Sequence, residues 1–121
     1  MMLPFILTIE AQSAHKHLRN ADEDYKVSNF EAAEEDYRKS LEKENSAQGR
    51  YNLGNAIYQQ DRFEEAIKQY NDAIQTTGDP ALRQKAYHNL GNAHFSKEEY
   101  DKSIEAYKNA CLLYTSPSPR D

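Results

Sequence analysis

Four histidines, one cysteine and three pairs of adjacent glutamates are the residues that could hold a metal or move protons. Their spacing argues against both. His15 and His17 are two apart, so on a helix they point about 200° from each other and cannot close on one ion. His88 and His94, six apart, diverge as well. A single cysteine, Cys111, rules out an internal disulfide and a multi-cysteine zinc or iron–sulfur centre. Glu34-Glu35, Glu64-Glu65 and Glu98-Glu99 each stand where a helix would begin. Carboxylates there suit the positive end of the helix dipole without acid–base work. The chain has no glycine-rich phosphate loop, no His-Glu-x-x-His and no Gly-x-Ser-x-Gly elbow. No catalytic residue, metal or cofactor is therefore expected. The remaining chemistry is hydrogen bonding and flat apolar contact, for which nine tyrosines provide the material.

The elements that would position these groups are helical. At 121 residues the chain has room for one domain or a few short repeats. Only four Gly and four Pro, with 29% charged residues, describe a soluble, mostly helical protein. A net charge of −5 offers no basic face to nucleic acid. The excess acid fades from the N-terminal third to the C-terminal third, as solvated helix faces would have it.

Three segments repeat one another. Phe30-Glu31-Ala32-Ala33 through Tyr37 to Leu41 aligns with Phe63-Glu64-Glu65-Ala66 through Tyr70 to Ile74. Both align with Tyr100-Asp101-Lys102-Ser103 through Tyr107 to Cys111. The spacings are 33 and then 37 residues. Upstream of the last two stand Tyr51-Asn52-Leu53-Gly54-Asn55-Ala56 and His88-Asn89-Leu90-Gly91-Asn92-Ala93. Apolar residues recur at helical spacing in both parts, so each repeat reads as two helices of about 14 residues. Ser28-Asn29, Asn45-Ser46, Gln60-Asp61 and Asp79-Pro80 supply the turns and caps. Gly54 and Gly91 are expected where paired helices approach closely, opposite Ala66 and Ser103, with Ala21 and Ala33 in the first copy. Tyr37, Tyr70 and Tyr107 are expected to wedge one pair against the next, their hydroxyls reaching the surface.

The Asn-Leu-Gly-Asn first helix, followed by a second helix of aromatic and small residues at fixed offsets, resembles the tetratricopeptide repeat. The likeness covers residues 14–113, in repeats of about 14–45, 46–80 and 81–113. It implies an all-α, right-handed superhelical solenoid of six helices whose first helices line a concave groove. Such grooves bind a peptide or helix of a partner protein. The implied groove residues are His15, Leu18, Asp22, Tyr25 and Lys26, then Gln48, Tyr51, Asn55, Tyr58 and Gln59, then Lys85, His88, Asn92, Phe95 and Ser96. Asparagines on that face can hydrogen-bond a peptide backbone, and Tyr51, Tyr58 and Phe95 offer apolar anchors. One subclass clamps the C-terminal carboxylate of chaperones with Lys and Asn, then Asn, then Lys and Arg. Leu18, Asp22, Asn55, His88 and Asn92 stand at those places here, and only Asn55 matches. A chaperone-tail adaptor is not expected.

The stretches Arg50–Tyr70 and Tyr87–Ala110 are further similar to repeat proteins encoded with membrane-anchored von Willebrand A-domain proteins in bacterial aerotolerance operons. That likeness implies an envelope-associated scaffold with such a partner. The apolar run Met1–Ile9, followed by Ala11-Gln12-Ser13-Ala14, resembles the end of a secretory signal peptide without its basic start. Residues 1–13 are thus expected to be a leader remnant and the protein periplasmic, with a cytoplasmic location as the alternative. The run is too short to span a bilayer, so no membrane insertion of the mature form is expected. The Ser-Pro tail at 114–121 cannot be helical and is expected to be disordered, the repeat frame continuing past Ala110 in the natural chain. An uncapped last helix would also allow self-association into a homodimer, the competing class of function.

Overall fold

The computed structural model describes residues 3–114, and the side chains of residues 8–112. Six helices follow one another: α1 Leu3–Lys26, α2 Phe30–Lys43, α3 Ala47–Tyr58, α4 Phe63–Thr76, α5 Pro80–Ser96 and α6 Tyr100–Tyr114. No strand occurs among the described residues. Each odd helix packs on the even helix after it, and α2 on α3 and α4 on α5 join the pairs into a solenoid. The six-helix repeat architecture read from the sequence is the architecture observed.

Local chemistry explains the boundaries. Ser46 caps α3 by accepting a hydrogen bond from the Gly49 amide at 3.0 Å. Asp79 does the same for α5 from Ala81, with Pro80 in the first turn, where its missing N–H is no loss. Within each pair the chain reverses through one residue with positive φ: Ser28 at 63°, Asp61 at 60° and Glu98 at 61°. They are 33 and 37 residues apart, in register with the repeats. The unequal spacing has a simple geometry. The four extra residues of the third copy, Pro80–Arg83, extend α5 by one turn, which leaves the apolar face in phase. That turn is put to use: Leu82 is buried, and the Arg83 guanidinium donates to the carbonyls of Ile74 and Thr77 at the end of α4.

The core runs along the solenoid axis. Leu53, Ile57, Ile67, Tyr70, Ile74 and Leu90 fill it between buried alanines. The glycines act on a different neighbour from the one expected. A Cβ on Gly54 would lie 2.7 Å from the Tyr70 ring, and one on Gly91 2.5 Å from the Tyr107 ring. The missing side chain makes room for an aromatic plate, while the small residue Ser103 uses its hydroxyl to bond the Gly91 carbonyl at 2.9 Å.

Helix lengths differ from the even 14 of the sequence reading. The segment read as a leader remnant is helical from Leu3 and continuous with the first repeat helix, giving α1 24 residues. Glu10 on this extension pairs with Lys43 at 3.6 Å, and Ser40 donates to the Ala14 carbonyl at 2.9 Å. At the other end α6 reaches Tyr114, one residue into the expected tail. Residues 115–121 lie outside the described residues, and so does the expectation about them.

Candidate protein-interaction groove

Three adjoining concavities follow the first helices of the repeats. The largest, about 790 Å³, is lined by Tyr51, Gln84, Lys85, His88, Asn89, Tyr107, Ala110 and Cys111. The second, about 260 Å³, lies between Asp22, Tyr25, Lys26, Tyr37, Asn52 and Asn55. The third, about 190 Å³, joins Tyr25, Asn55, Tyr58, Gln59, Tyr70, Asn89 and Asn92. Ten of the fifteen expected groove residues meet on these surfaces, and His15, Leu18 and Ser96 do not. Gln48 does not: it turns along its own helix and donates to Asn52 at 2.9 Å. Phe95 also lines none of the three, although 58% of its surface is exposed.

Two ladders hold the groove in shape, each repeated three times. In the first, an aromatic residue near the end of an odd helix sets its ring edge-on to the aromatic that opens the next helix. Tyr25 meets Phe30 at 5.2 Å, Tyr58 meets Phe63 at 5.2 Å and Phe95 meets Tyr100 at 5.4 Å. These contacts are worth about 0.5–1.5 kcal/mol each beyond the area they bury. Tyr58 and Phe95 are therefore struts of the turn, and only the rest of each ring faces outwards.

The second ladder gives the wedge tyrosines a further role. At the floor of the cavities their hydroxyls donate to the groove residue fifteen positions earlier. Tyr37 bonds Asp22 at 2.7 Å, Tyr70 bonds Asn55 at 2.7 Å and Tyr107 bonds Asn92 at 2.5 Å. The side-chain oxygen of Asn55 also accepts from Asn89 at 2.9 Å, and Asn89 reaches the Tyr51 hydroxyl at 3.0 Å. With their oxygens bound from beneath, Asn55 and Asn92 keep their amide N–H groups for the open side. Burial pushes the Tyr37 and Tyr70 hydroxyls far above the ordinary phenol range, and the Asp22 carboxylate pushes Tyr37 further. Both stay protonated, and hence stay donors.

Sequence reasoning missed Asn89, Gln84, Asn52 and the tyrosine hydroxyls as parts of the groove. The signal for Asn52 and Asn89 was present, as each opens an Asn-Leu-Gly-Asn motif. The cross-helix bonds they make depend on pair-to-pair packing, which the motif does not carry. Among the described residues no group of three or more His, Cys, Asp or Glu side chains could hold a metal, and no helix is long and apolar enough to cross a membrane.

Residues 18–81 match the profile of the tetratricopeptide repeat, and residues 84–116 match a second profile of that repeat. The chain belongs to the tetratricopeptide-repeat family. Solved structures of this family superpose closely. The TPR2AB domain of yeast Sti1, in complex with pHSP90, is 26% identical with a TM-score of 0.79 over 87% of this chain. The chain spans 42% of that domain's length. The TPR2B domain of yeast Sti1, in complex with pHsp70, is 24% identical with a TM-score of 0.80, covering 86% of this chain and 82% of that one. The N-terminal domain of stress-induced protein-1 from C. elegans is 19% identical with a TM-score of 0.80, each chain covered to 89%. None of the curated proteins matches the chain by sequence.

Proposed function

We propose that this tetratricopeptide-repeat chain is a non-catalytic scaffold whose concave face holds a peptide or helix of a partner protein. The observation that carries this reading is the pair of groove amides, Asn55 and Asn92, whose oxygens are tied to the wedge tyrosines Tyr70 and Tyr107 while their N–H groups face open cavities. Such donors take backbone carbonyls of any sequence, and Tyr51, His88 and Tyr107 add apolar wall. The likeness to the Sti1 TPR2AB domain, solved in complex with pHSP90, supports a protein partner. An acidic chaperone tail is a poor occupant here, because Asp22 would face its carboxylate. We extend the proposal to a bacterial envelope complex with a membrane-anchored von Willebrand A-domain partner, on the strength of the apolar N-terminal run and the aerotolerance-type likeness. N-terminal sequencing of the exported fraction tests this, and an intact Met1 ends it.

The groove is tested by selecting random dodecapeptides on the full chain. Lys85→Glu with His88→Ala is the suitable variant, since both residues are exposed and neither carries the core. Substituting Asn55 is less clean, because the Tyr70 hydroxyl would lose its acceptor. Selected peptides should bind the variant about tenfold more weakly, and a Glu35→Ala control on the far face should be unchanged. Equal binding to all three proteins sinks the reading.

Self-association is a second reading, favoured by one observation. Ile104 and Leu112 on α6 are 52% and 68% exposed, whereas Ile67, the counterpart of Ile104 one repeat earlier, is 8% exposed. The outer face of α1 carries Lys16, Arg19, Asn20 and Glu23 where later repeats bury Ala86, Leu90 and Ala93. A head-to-tail stack would set charge on an apolar face, so the copies would pair α6 to α6. Sedimentation of Ile104→Asp against the parent decides: an unchanged mass at all concentrations excludes it.

A further inference from the structure

The 260 Å³ cavity at the first repeat differs in chemistry from the rest of the groove. Where the second and third repeats present an asparagine to the tyrosine of the paired helix, the first presents Asp22. The Tyr37 hydroxyl occupies Oδ1 at 2.7 Å, and among the described residues no hydrogen bond reaches the other oxygen. An asparagine there would turn N–H donors outwards. Asp22 turns out a charged acceptor instead. The surroundings suit a long cationic side chain. The rings of Tyr25 and Tyr37 form walls on which an aliphatic stem and a cation can lie. Asn52 and Asn55 complete the rim. The Asn52 oxygen already accepts from Gln48, and the Asn55 oxygen from Tyr70 and Asn89. Asp22 is therefore the group that decides the charge of the guest. Lys26, one turn along the same helix, also lines the cavity, and it makes no ion pair with Asp22. Its ammonium opposes a second cation and weakens the site without filling it.

We infer that this cavity takes a lysine or arginine side chain of the bound partner, so that the groove reads a basic residue beside repeat 1 and backbone carbonyls beside repeats 2 and 3. The inference rests on the groove-binding function proposed above and adds its chemical selectivity. Charge-assisted pairing of a guanidinium or ammonium with a single carboxylate against aromatic walls is sufficient for a strong preference at one position.

The peptides selected on the full chain provide the probe. They should share a Lys or Arg at one fixed position. Asp22→Asn, which keeps the shape and the acceptor for Tyr37 and copies what Asn55 and Asn92 already do, should weaken the basic peptide about tenfold. It should leave the same peptide with Gln at that position unchanged, so the double-mutant cycle closes on this pair. Lys26→Ala should tighten the basic peptide about two- to fivefold. Groove-dependent peptides with no fixed basic position overturn the inference and leave the groove reading standing. So does a basic position whose contribution is the same in Asp22→Asn as in the parent. Peptides indifferent to the Lys85 and His88 substitutions overturn both.

Discussion

Glu34 and Arg62 stand 2.6 Å apart across the boundary between the first and second helix pairs, although 28 residues separate them in the chain. Arg62 also grips Glu65 at 2.6 Å, Arg38 grips Glu34 from the same helix at 2.8 Å, and Gln60 donates to Glu34 at 2.9 Å. Partial burial works to raise the Glu34 carboxyl, and the bonds from Arg62, Gln60 and Arg38 overcome it, holding its pKa near 2 against an ordinary 4.5.

A depressed carboxylate pKa means that the fold favours the ionised form. Its contribution is complete above pH 4.5, declines as the pH falls towards 2, and is gone below that. Glu34→Gln should therefore cost about 1 kcal/mol at pH 7 and almost nothing at pH 2. Urea midpoints of both proteins between those pH values check it. A difference that does not change with pH would assign the effect to packing.

The two glycines packed against tyrosine rings should behave unlike the loop glycine. Gly91→Ala drives a Cβ to 2.5 Å from Tyr107, a plate held at its hydroxyl by Asn92 and unable to swing away. Overpacking of this kind costs about 1–3 kcal/mol, of which better helix propensity returns up to about 1. Gly54→Ala against Tyr70 should follow it. At Gly78 an added Cβ meets nothing within 4 Å and φ is not positive. Gly78→Ala should gain about 0.4–1 kcal/mol by restricting the unfolded chain. Thermal unfolding of the three variants tests the order, and a stabilising Gly91→Ala would refute the steric argument.

Left-handed backbone at Ser28, Asp61 and Glu98 carries a cost that depends on the side chain. Asp tolerates this region through local hydrogen bonding, Ser less so, and Glu least. Glu98→Asn should raise stability by about 0.5–1 kcal/mol, Ser28→Asn by less, and Asp61→Asn by almost nothing. Calorimetry gives the ranking. Equal gains at all three sites would mean that the turns are not strained by their side chains.

The period, the two-helix repeat, the turn at Gln60-Asp61 and the caps at Ser46 and Asp79 were all legible in the chain. Each depends on contacts within about five residues, and the same pattern written three times made the reading redundant. Ten of the fifteen expected groove residues face the concavities for the same reason, since a helix face follows from periodicity alone. The sequence was silent on which way a side chain turns once it arrives. Nothing in the spacing of Gln48 told that it would fold back onto Asn52, or that Tyr58 and Phe95 would brace the turns.

The residues by themselves determined the repeat, its helix phases and the absence of catalytic motifs, because these are local and periodic properties. Tertiary structure alone decided the orientation of the groove amides. Tyr70 is 1% exposed, and its hydroxyl, cut off from water, must find an acceptor inside the fold. Asn55 supplies it and is thereby turned to face outwards with its N–H groups. The same requirement at Tyr37 is met by Asp22, and so one buried proton leaves one end of the groove anionic.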